Sequence, residues 1–477
     1  MEGTINIYSD TIVAPATTPG TGAISVVRLS GPDCFRIADA VLKLRHGTVS
    51  EAGAYTIHYG EVFSGGSLLD EVLVSVFRAP HSYTGEDSVE ISTHASSFIV
   101  SELISLLIEA GSRFAQPGEF TRRAFLNGKM DLAQAEAVAD VISSNTEASH
   151  RVAMNQLKGG FSSELSRLRE ELLEMASLLE LELDFSEEDV EFADRNRLLS
   201  ILDITSEHVD RLASSFRQGN MIKNGVPVAI VGSANAGKST LLNALLGEDR
   251  AIVSDIAGTT RDTIEETLVL NGILFRFIDT AGIRESSDTI EKIGIDRAFA
   301  KLSQAEIVLA LLDMDQSSDD LIKSAEIILS RVRFDSQKLF FLLNKADKLS
   351  KNDINKIVIT FNNFVSLSDI QCETLIVSAK QENGLSDLKK ALVASESDLI
   401  SNANSTFVTN ARHYEALKIA SSALASCRSS LTHSLPTEFV AEDLRHALSS
   451  INAILGTDLL DPEAVLHSIF SKHCIGK

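Results

Sequence analysis

The sequence predicts a multidomain α/β and α protein with an N-terminal α+β domain and a helical domain into which a doubly wound α/β domain is inserted. Three observations predict this class. Residues 1–125 mix short β-rich runs with Gly, Pro and Ser turns. From about residue 130, apolar side chains recur every three or four positions, and from Val226 short apolar strands alternate with helical stretches. The chain is helical again after about residue 400, so the α/β domain interrupts one helical domain.

Length and composition set the broad class of protein. The chain has 477 residues, 44% of them hydrophobic, and at about 150 residues per domain this length predicts three domains. The N-terminus "MEGTINIYSD" lacks the pattern of a signal peptide, and no apolar run approaches the ~18 residues that span a bilayer. We therefore expect a cytoplasmic protein with no membrane contact. Four widely spaced cysteines predict neither a disulfide framework nor a zinc site.

The charge balance is strongly acidic, with 43 basic against 66 acidic residues and a net charge of −23. Such a chain repels a phosphate backbone, and it contains no run of five Lys or Arg residues. Any nucleic-acid substrate would therefore need a local basic patch or a helper protein.

The first half of the chain divides into two predicted domains. Residues 1–125 carry the β-rich runs "AISVVRL", "AYTIHYGEV" and "DEVLVSVF" and form the N-terminal domain. Residues 126–222 form the first part of the helical domain. One helix there has a single buried face, because its apolar residues are spaced by three and four: Leu165, Leu168, Leu172, Met175 and Leu179.

The second half contains the inserted domain, predicted over residues 223–395. Its apolar strands "VPVAIVG", "ILFRFIDT", "EIVLALLD", "KLFFLLNKAD" and "TLIVSAK" alternate with helical stretches, which is typical of a mostly parallel, doubly wound sheet. The dipeptide Asn271-Gly272 predicts a hairpin and hence one antiparallel edge strand. Residues 396–477 form the second part of the helical domain and end in the tail "CIGK".

A phosphate-binding loop follows the first of these strands. The run "GSANAGKST", from Gly232 to Thr240, matches G-x-x-x-x-G-K-[ST] and precedes the helical run "LLNALL". Its glycines let backbone N–H groups surround phosphates, Lys238 reaches the β and γ phosphates, and the Ser239 hydroxyl can ligate Mg²⁺. The strand and helix on either side make the motif specific.

The motifs that follow predict guanine rather than adenine nucleotides. In "DTAG", Asp279 can hold the Mg²⁺ shell and the Gly282 N–H can sense a γ-phosphate. "NKAD" and "SAK" end the last two strands, and Asp347 offers a carboxylate to the two donors that guanine has and adenine lacks. The constellation resembles the GTPases of the translation-factor class and predicts a Ras-like P-loop GTPase domain. The candidate GTP-binding residues are Asn235, Ala236, Gly237, Lys238, Ser239, Thr240, Ser254, Asp255, Ile256, Ala257, Gly258, Thr259, Thr260, Asp279, Thr280, Ala281, Gly282, Asn344, Lys345, Ala346, Asp347, Ser378, Ala379 and Lys380.

The segment "DIAGTTRD" predicts a switch that is ordered by a bound triphosphate, with Thr260 as the second hydroxyl ligand for Mg²⁺. Ile283 occupies the position where Ras-like enzymes carry a water-orienting Gln. The residues left as candidates for that role are Arg284, Glu285 and Glu291, and each of them could equally be a solvated charge. Lys238 and Thr260 are expected to contribute to catalysis, and the water-orienting residue is open among these three.

The C-terminal tail "CIGK" admits several interpretations. Gly476 and Lys477 both depart from the prenylation pattern, so a lipid anchor is not expected. Cys474 is a candidate nucleophile toward a pyrimidine ring, yet only His473 lies beside it as a base.

Several long motifs identify a family. They are "DTIVAPAT", "RLSG", "SYTGEDSVE", "PGEFTRRAFLNGKMDLAQAEA", "GTTRD", "DTAGIRESSDTIEKIGIDRA" and "CIGK". Together they resemble the MnmE (TrmE) family of tRNA-modification GTPases over essentially the whole chain. The resemblance implies a homodimer whose GTP hydrolysis is stimulated by K⁺. It also implies a heterotetramer with the FAD-containing flavoprotein MnmG (GidA), which installs a carboxymethylaminomethyl-type group at C5 of the wobble uridine of certain tRNAs.

The resemblance also assigns roles to particular residues. Asn235 matches the K⁺ ligand, with Ser254, Ile256 and Thr259 contributing to the same site, and Glu291 matches the water-orienting acid. A monovalent cation beside the phosphates would supply the charge that an arginine finger supplies elsewhere.

The family's N-terminal domain binds a tetrahydrofolate derivative, 5-formyl- or 5,10-methylene-tetrahydrofolate, as the one-carbon donor. The matching positions are Arg28, Glu90, Lys129 and Lys477, and the resemblance implies that Lys477 reaches the folate pocket of a partner subunit. One departure bears on this site. The family pattern includes H-G-G, whereas this chain has His94-Ala95-Ser96, so close backbone approach is less assured there.

Two alternatives differ from this interpretation. One is a ribosome-assembly GTPase switch, which shares the nucleotide motifs but typically carries an RNA-binding module. The other keeps the GTPase and treats the N-terminal domain as purely structural.

Overall fold

The computed structural model describes residues 10–184, 195–233, 235–247, 266–278, 302–367, 372–401, 406–433, 435–457, 469–470 and 476. The chain forms two compact units, and both are discontinuous in sequence. The first unit comprises residues 1–143, 153–210 and 415–477, and the second comprises 144–152 and 211–414. The predicted domain boundaries within these units stay predictions.

A seven-stranded sheet is the centre of the N-terminal part of the first unit. Alternation of apolar and polar residues along its strands puts Val27, Leu29, Val89 and Ile91 on one buried face, and the polar Arg28 between two of them turns away from that face. The strand order is β3-β4-β5-β6-β2-β1-β7. The strands are β1 (Ile12–Pro15), β2 (Ile24–Ser30), β3 (Leu42–Leu44), β4 (Thr56–Ser64), β5 (Ser67–Phe77), β6 (Ser88–His94) and β7 (Arg113–Phe114).

Helices cover the core face of this sheet and continue into the helical part of the chain. The predicted one-sided helix is confirmed, because Leu165, Leu168, Leu172, Met175 and Leu179 are all buried. It packs against the last long helix, where Arg169 Nε donates to Asn452 Oδ1 at 2.8 Å. The helices up to the second unit are α1 (Cys34–Val41), α2 (Ser97–Glu109), α3 (Glu119–Leu126), α4 (Leu132–Ser143), α5 (Glu147–Leu157), α6 (Gly160–Asp184) and α7 (Arg195–Ser214).

A six-stranded sheet forms the second unit and confirms the predicted doubly wound architecture. Its order is β13-β12-β11-β8-β10-β9, and every neighbouring pair is parallel except β9 with β10. The strands are β8 (Val226–Gly232), β9 (Glu266–Leu270), β10 (Ile273–Phe277), β11 (Ile307–Asp313), β12 (Lys338–Asn344) and β13 (Glu373–Ile376). Because β8, β11, β12 and β13 are parallel, their carboxyl ends meet at one edge of the sheet, where ligands bind in such folds.

The predicted hairpin turn is also present. Asn271 and Gly272 have φ of 46° and 82°, so both central residues are left-handed, as a two-residue turn between twisted antiparallel strands requires. The remaining helices are α8 (Phe216–Asn224), α9 (Lys238–Leu246), α10 (Ser318–Leu329), α11 (Lys351–Leu367), α12 (Leu385–Ser395), α13 (Asp398–Ser401), α14 (Ala411–Thr432) and α15 (Thr437–Leu455), with a short 3₁₀ helix at Ala346–Lys348. A search of the described residues finds no helix long and apolar enough to cross a membrane.

Candidate functional site

The phosphate-binding loop connects β8 to α9 at the carboxyl edge of the second sheet. Asn235 and Gly237 have φ of 61° and 100°, and these left-handed residues turn the chain directly into α9, which begins at Lys238. A Cβ on Gly237 would lie 2.6 Å from Asn344 Nδ2, so a larger residue there would displace that amide. The loop therefore delivers the backbone N–H groups at the start of α9 to a bound anion.

Lys238 supplies the positive charge of this loop. Its ammonium donates to the carbonyl oxygens of Gly232 and Ser233, both at 2.9 Å, and burial lowers the pKa of the amine. The two bonds hold the ammonium over the loop, where phosphate oxygens would lie. Ser239 and Thr240 are exposed on the first turn of α9, and a serine hydroxyl there is the hard oxygen donor that suits Mg²⁺.

Asn344, at the end of β12, joins three parts of the site. Its Nδ2 donates to the carbonyl of Ala236 in the phosphate loop at 2.8 Å, and its Oδ1 accepts from the N–H of Ala379 at 3.0 Å. The side chain is only 3% exposed, so losing either bond would leave a buried polar group unpaired. The phosphate loop, the "NKAD" turn and the "SAK" turn are thereby fixed relative to one another.

Asp347 presents its carboxylate to solvent in the turn that follows Asn344. Ser378 Oγ donates to Asp347 Oδ1 at 2.6 Å, and this hydrogen bond lowers the pKa of the carboxyl group. Asp347 is therefore ionised at neutral pH and accepts hydrogen bonds only, which matches the two donors on the guanine edge. The positive charge of Lys380 also lowers the pKa of Asp347.

Sequence reasoning did not identify Asp313, which ends β11. Its Oδ2 lies 2.5 Å from Lys345 Nζ in the "NKAD" turn. The signal available in the sequence was its position, because it is an acidic residue that directly follows a fully apolar strand, and β11 pairs with β12 so that Asp313 lies opposite Asn344.

Many predicted residues of the nucleotide site lie outside the described residues, and their roles stay predictions. These are Ser254, Asp255, Ile256, Ala257, Gly258, Thr259, Thr260, Asp279, Thr280, Ala281, Gly282, Arg284, Glu285 and Glu291. In the C-terminal tail the same applies to Cys474 and Lys477.

A second cluster of predicted site residues lies on the sheet of the first unit. Arg28 and Glu90 face each other across β2 and β6, with Arg28 Nε and Nη2 at 2.9 and 2.8 Å from Glu90 Oε1. The Arg28 guanidinium also lies 5.2 Å from the centre of the Tyr83 ring and 5.6 Å from that of Phe120. Sequence reasoning missed both aromatic residues, although each is part of a quoted motif, "SYTGEDSVE" and "PGEFTRRAF".

Gly476, the described residue of the tail "CIGK", contacts this cluster. The carbonyl oxygen of Gly476 accepts from Arg28 Nη1 at 3.3 Å, and a Cβ on Gly476 would lie 2.0 Å from the carbonyl oxygen of Pro15. The expectation that Lys477 reaches the pocket of a partner subunit stays a prediction, because Lys477 lies outside the described residues. Glycine suits position 476 because φ is +94° and the backbone of β1 lies close to it.

Lys129, in contrast, does not contact Arg28 or Glu90 through any hydrogen bond or ion pair seen among the described residues. Its ammonium donates to the carbonyl of Pro80 at 3.0 Å, and its methylenes lie against Gly85. The replacement of the pattern H-G-G by His94-Ala95-Ser96 causes no backbone strain, because neither Ala95 nor Ser96 has a positive φ. His94 Nδ1 lies 2.6 Å from Asp70 Oδ1, and this hydrogen bond raises the pKa of the imidazole.

The fold and the loop geometry define the class: the second unit is a P-loop GTPase domain, with a phosphate loop, a lysine above it and the turn that carries the predicted base-recognising residues Asn344 and Asp347. Two family models match the chain. "GTP-binding protein TrmE N-terminus" matches residues 11–129 and "MnmE helical domain" matches residues 132–474.

Curated relatives match over nearly the full length. The tRNA modification GTPase MnmE of Bacteroides fragilis is 50% identical over 470 residues, covering 98% of this chain and 99% of that protein. The protein of the same name from Flavobacterium johnsoniae is 48% identical over 475 residues, covering 99% of this chain and all of that protein. The chain belongs to the MnmE (TrmE) family.

Replacing the carboxylate of Asp347 by an amide should change the base that the site prefers from guanine to xanthine. In Asp347→Asn the side-chain amide becomes a donor, which suits the C2 carbonyl of xanthine and leaves the guanine amino group unpaired. We expect GDP binding to weaken by roughly a hundredfold or more, with a gain in binding of xanthosine diphosphate. Titration of fluorescent GDP and fluorescent xanthosine diphosphate against wild type and variant measures this change of preference. A parallel loss of affinity for both nucleotides would contradict it.

Proposed function

We propose that this chain is the GTP-hydrolysing subunit of a complex that modifies C5 of the wobble uridine in certain tRNAs. The product group is of the carboxymethylaminomethyl type, its one-carbon unit comes from a tetrahydrofolate derivative, and the partner is the FAD-containing flavoprotein MnmG (GidA). The observation that carries the proposal is the presence, in one MnmE-family chain, of a P-loop GTPase domain and an arginine-carboxylate cluster on a separate sheet. Similarity to MnmE proteins over the whole chain favours this function over a ribosome-assembly switch.

In the nucleotide site, the chain's own groups bind and orient the triphosphate. Lys238 neutralises the β and γ phosphates, Ser239 and Thr260 supply hydroxyl oxygens for Mg²⁺, and Glu291 orients the attacking water. Asn235 is exposed, and its left-handed backbone turns the loop at this point. We assign its side-chain oxygen to K⁺, which when bound adds positive charge beside the phosphates.

In the first unit, the Arg28 cluster fits a flat heterocycle that carries carboxylates. Tyr83 and Phe120 flank the guanidinium; Phe120 is fully buried behind it, so a planar ring can contact the cation and the partly exposed Tyr83. Glu90 is partly exposed and keeps acceptor capacity for the donor edge of a pterin. Lys129 and Lys477 are assigned to the folate carboxylates, and removal of "CIGK" should weaken the folate site while sparing GTP hydrolysis.

The base of the second unit supports a gating role for the GTP cycle. The two chain segments that enter and leave the nucleotide domain are joined there. Val408 N–H donates to Ser215 Oγ at 3.1 Å, and the rings of Phe216 and Tyr414 stack with centroids 4.5 Å apart. Gly219 lies against the Val408 carbonyl, where a Cβ would be only 2.2 Å from the oxygen. A conformational change in the sheet therefore moves both of these chain segments together.

The outer face of the N-terminal sheet supports a homodimer. Large apolar side chains are exposed on this face: Ile24, Tyr55, Ile57, Tyr59 and Leu73. An exposed apolar face of this kind marks an interaction site, and we assign a second copy of the chain to it because the family resemblance implies a homodimer. The net charge of −23 leaves most of the tRNA contact to the flavoprotein.

Potassium should stimulate GTP turnover through Asn235. We expect turnover in K⁺ to exceed that in Na⁺ at equal ionic strength by at least about tenfold, and Asn235→Ala to remove the difference. Steady-state phosphate release measures both. The matched control is Asn271→Ala. Asn271 also has a left-handed backbone, but it lies in the turn between β9 and β10, so this variant should keep the K⁺ response. Equal rates of the wild type in both cations would refute the K⁺ assignment.

Deletion of the gene should remove the modification, and the Arg28 cluster should be needed to restore it. Nucleoside analysis of tRNA from the deletion strain is expected to show an unmodified wobble uridine. Wild type and Arg36→Met should restore the modification, whereas Arg28→Met should not, although it keeps GTP turnover. Arg36 is the matched control because its guanidinium is exposed and pairs only with the exposed Asp33 in the contacts seen. If the wobble uridine of the deletion strain still carries the modification, the proposed function is wrong. If Arg28→Met fully restores the modification, only the folate site is wrong.

A further inference from the structure

The ends of β11 and β12 bring an acidic residue to the base-recognising turn. The two strands are parallel, with Asp313 opposite Asn344, and Met314 N–H donates to the Asn344 carbonyl at 3.0 Å. Asp313 thus lies beside the first residue of the "NKAD" turn, at the end of the strand between β12 and β8, and β8 leads into the phosphate loop.

The Asp313 carboxylate is almost fully engaged. Oδ2 lies 2.5 Å from Lys345 Nζ, and Oδ1 accepts from the N–H of Asp315 at 3.0 Å. The side chains of Asp313 and Lys345 are 10% and 23% exposed, so water screens this pair little. Removal of one partner would leave the other charge poorly solvated, which is far more damaging than the loss of an exposed ion pair.

Lys345 needs a restraint because its backbone is in an unfavourable conformation. Its φ is +68°, in the left-handed region that a lysine rarely adopts. This one residue reverses the chain between Asn344 and the 3₁₀ helix that carries Asp347. The ion pair with Asp313 therefore holds the residue on whose conformation the relative placement of Asn344 and Asp347 depends.

We propose that Asp313 is a positioning residue for guanine recognition, because through Lys345 it holds the turn that presents Asp347 and Asn344 to the base. The inference rests on the proposed guanine site and adds a residue outside the nucleotide motifs to it. Its effect is on nucleotide affinity, because its carboxylate contacts Lys345 and the N–H of Asp315 in the two loops beside the base-recognising turn.

The chain provides a matched control in the neighbouring ion pair. Asp315 and Lys348 join the same two loops, with Oδ2 and Nζ 2.6 Å apart, but their side chains are 47% and 50% exposed. Asp315→Asn and Asp313→Asn remove the same charge two residues apart. They differ in burial and in which residue of the turn is released.

The experiment measures the Kd of a fluorescent GDP analogue for the full-length protein. We expect Asp313→Asn to weaken binding on the order of tenfold and Asp315→Asn by less than about twofold. The kcat at saturating GTP should change little in Asp313→Asn, so that the loss appears in KM.

A double-mutant cycle tests the route through Lys345. If Asp313 acts on Lys345, Asp313→Asn should cause no further loss in a Lys345→Met background, whereas a merely structural effect would be additive. Additive losses, or an Asp313→Asn variant that binds GDP like the wild type, would overturn the inference. A wild type that fails to bind GDP would instead overturn the proposed guanine site.

A conservative variant guards against a folding defect. If Asp313→Asn does not fold, Asp313→Glu keeps the charge and shifts the carboxylate by one methylene. We then expect a smaller loss of GDP affinity, roughly threefold, that also disappears in the Lys345→Met background. A loss of GDP affinity in Asp313→Glu that persists in the Lys345→Met background would overturn the inference in that case.

Discussion

The two hydrogen bonds of the Asn344 amide are the interaction on which the nucleotide site depends. They connect the phosphate loop at Ala236 and the last loop at Ala379 to the end of β12, and the side chain that makes them is buried. Parallel strands alone bring these loops to one edge of the sheet. The amide fixes their spacing, so that one nucleotide can contact the phosphate loop and the base-recognising turn together.

The N-terminal cluster is supported in a comparable way by a buried charged side chain. Arg123 is fully buried on α3, and its Nη atoms lie 3.1 to 3.2 Å from carboxylate oxygens of Glu86 and Glu119. Glu86 lies in the loop that carries Tyr83, and Phe120 lies on α3 itself, so the network holds both rings that flank Arg28. Loss of Arg123 would leave the buried Glu86 carboxylate without the cation that neutralises it, and this favours a single arrangement of loop and helix.

The sequence predicted those parts of the structure that depend on local pattern. The period of three and four along α6, the strands that end in "NKAD" and "SAK", and the Asn271-Gly272 hairpin each follow from residues close in the chain. Asp313 and the rings beside Arg28 were missed because their roles come from strand pairing and tertiary contacts. The contact between Gly476 and Arg28 joins residues 448 positions apart, and no local pattern predicts such a contact.

The most direct test of this account is amide hydrogen exchange together with GDP affinity in Asn344→Ala. We expect faster exchange in both the phosphate loop and residues 378–380, and a loss of GDP affinity of at least about tenfold, because both loops lose their shared restraint. Asn362→Ala, an exposed position on α11, should change neither. Unchanged GDP affinity, or faster exchange confined to one of the two loops, would contradict the claim that Asn344 holds the site together.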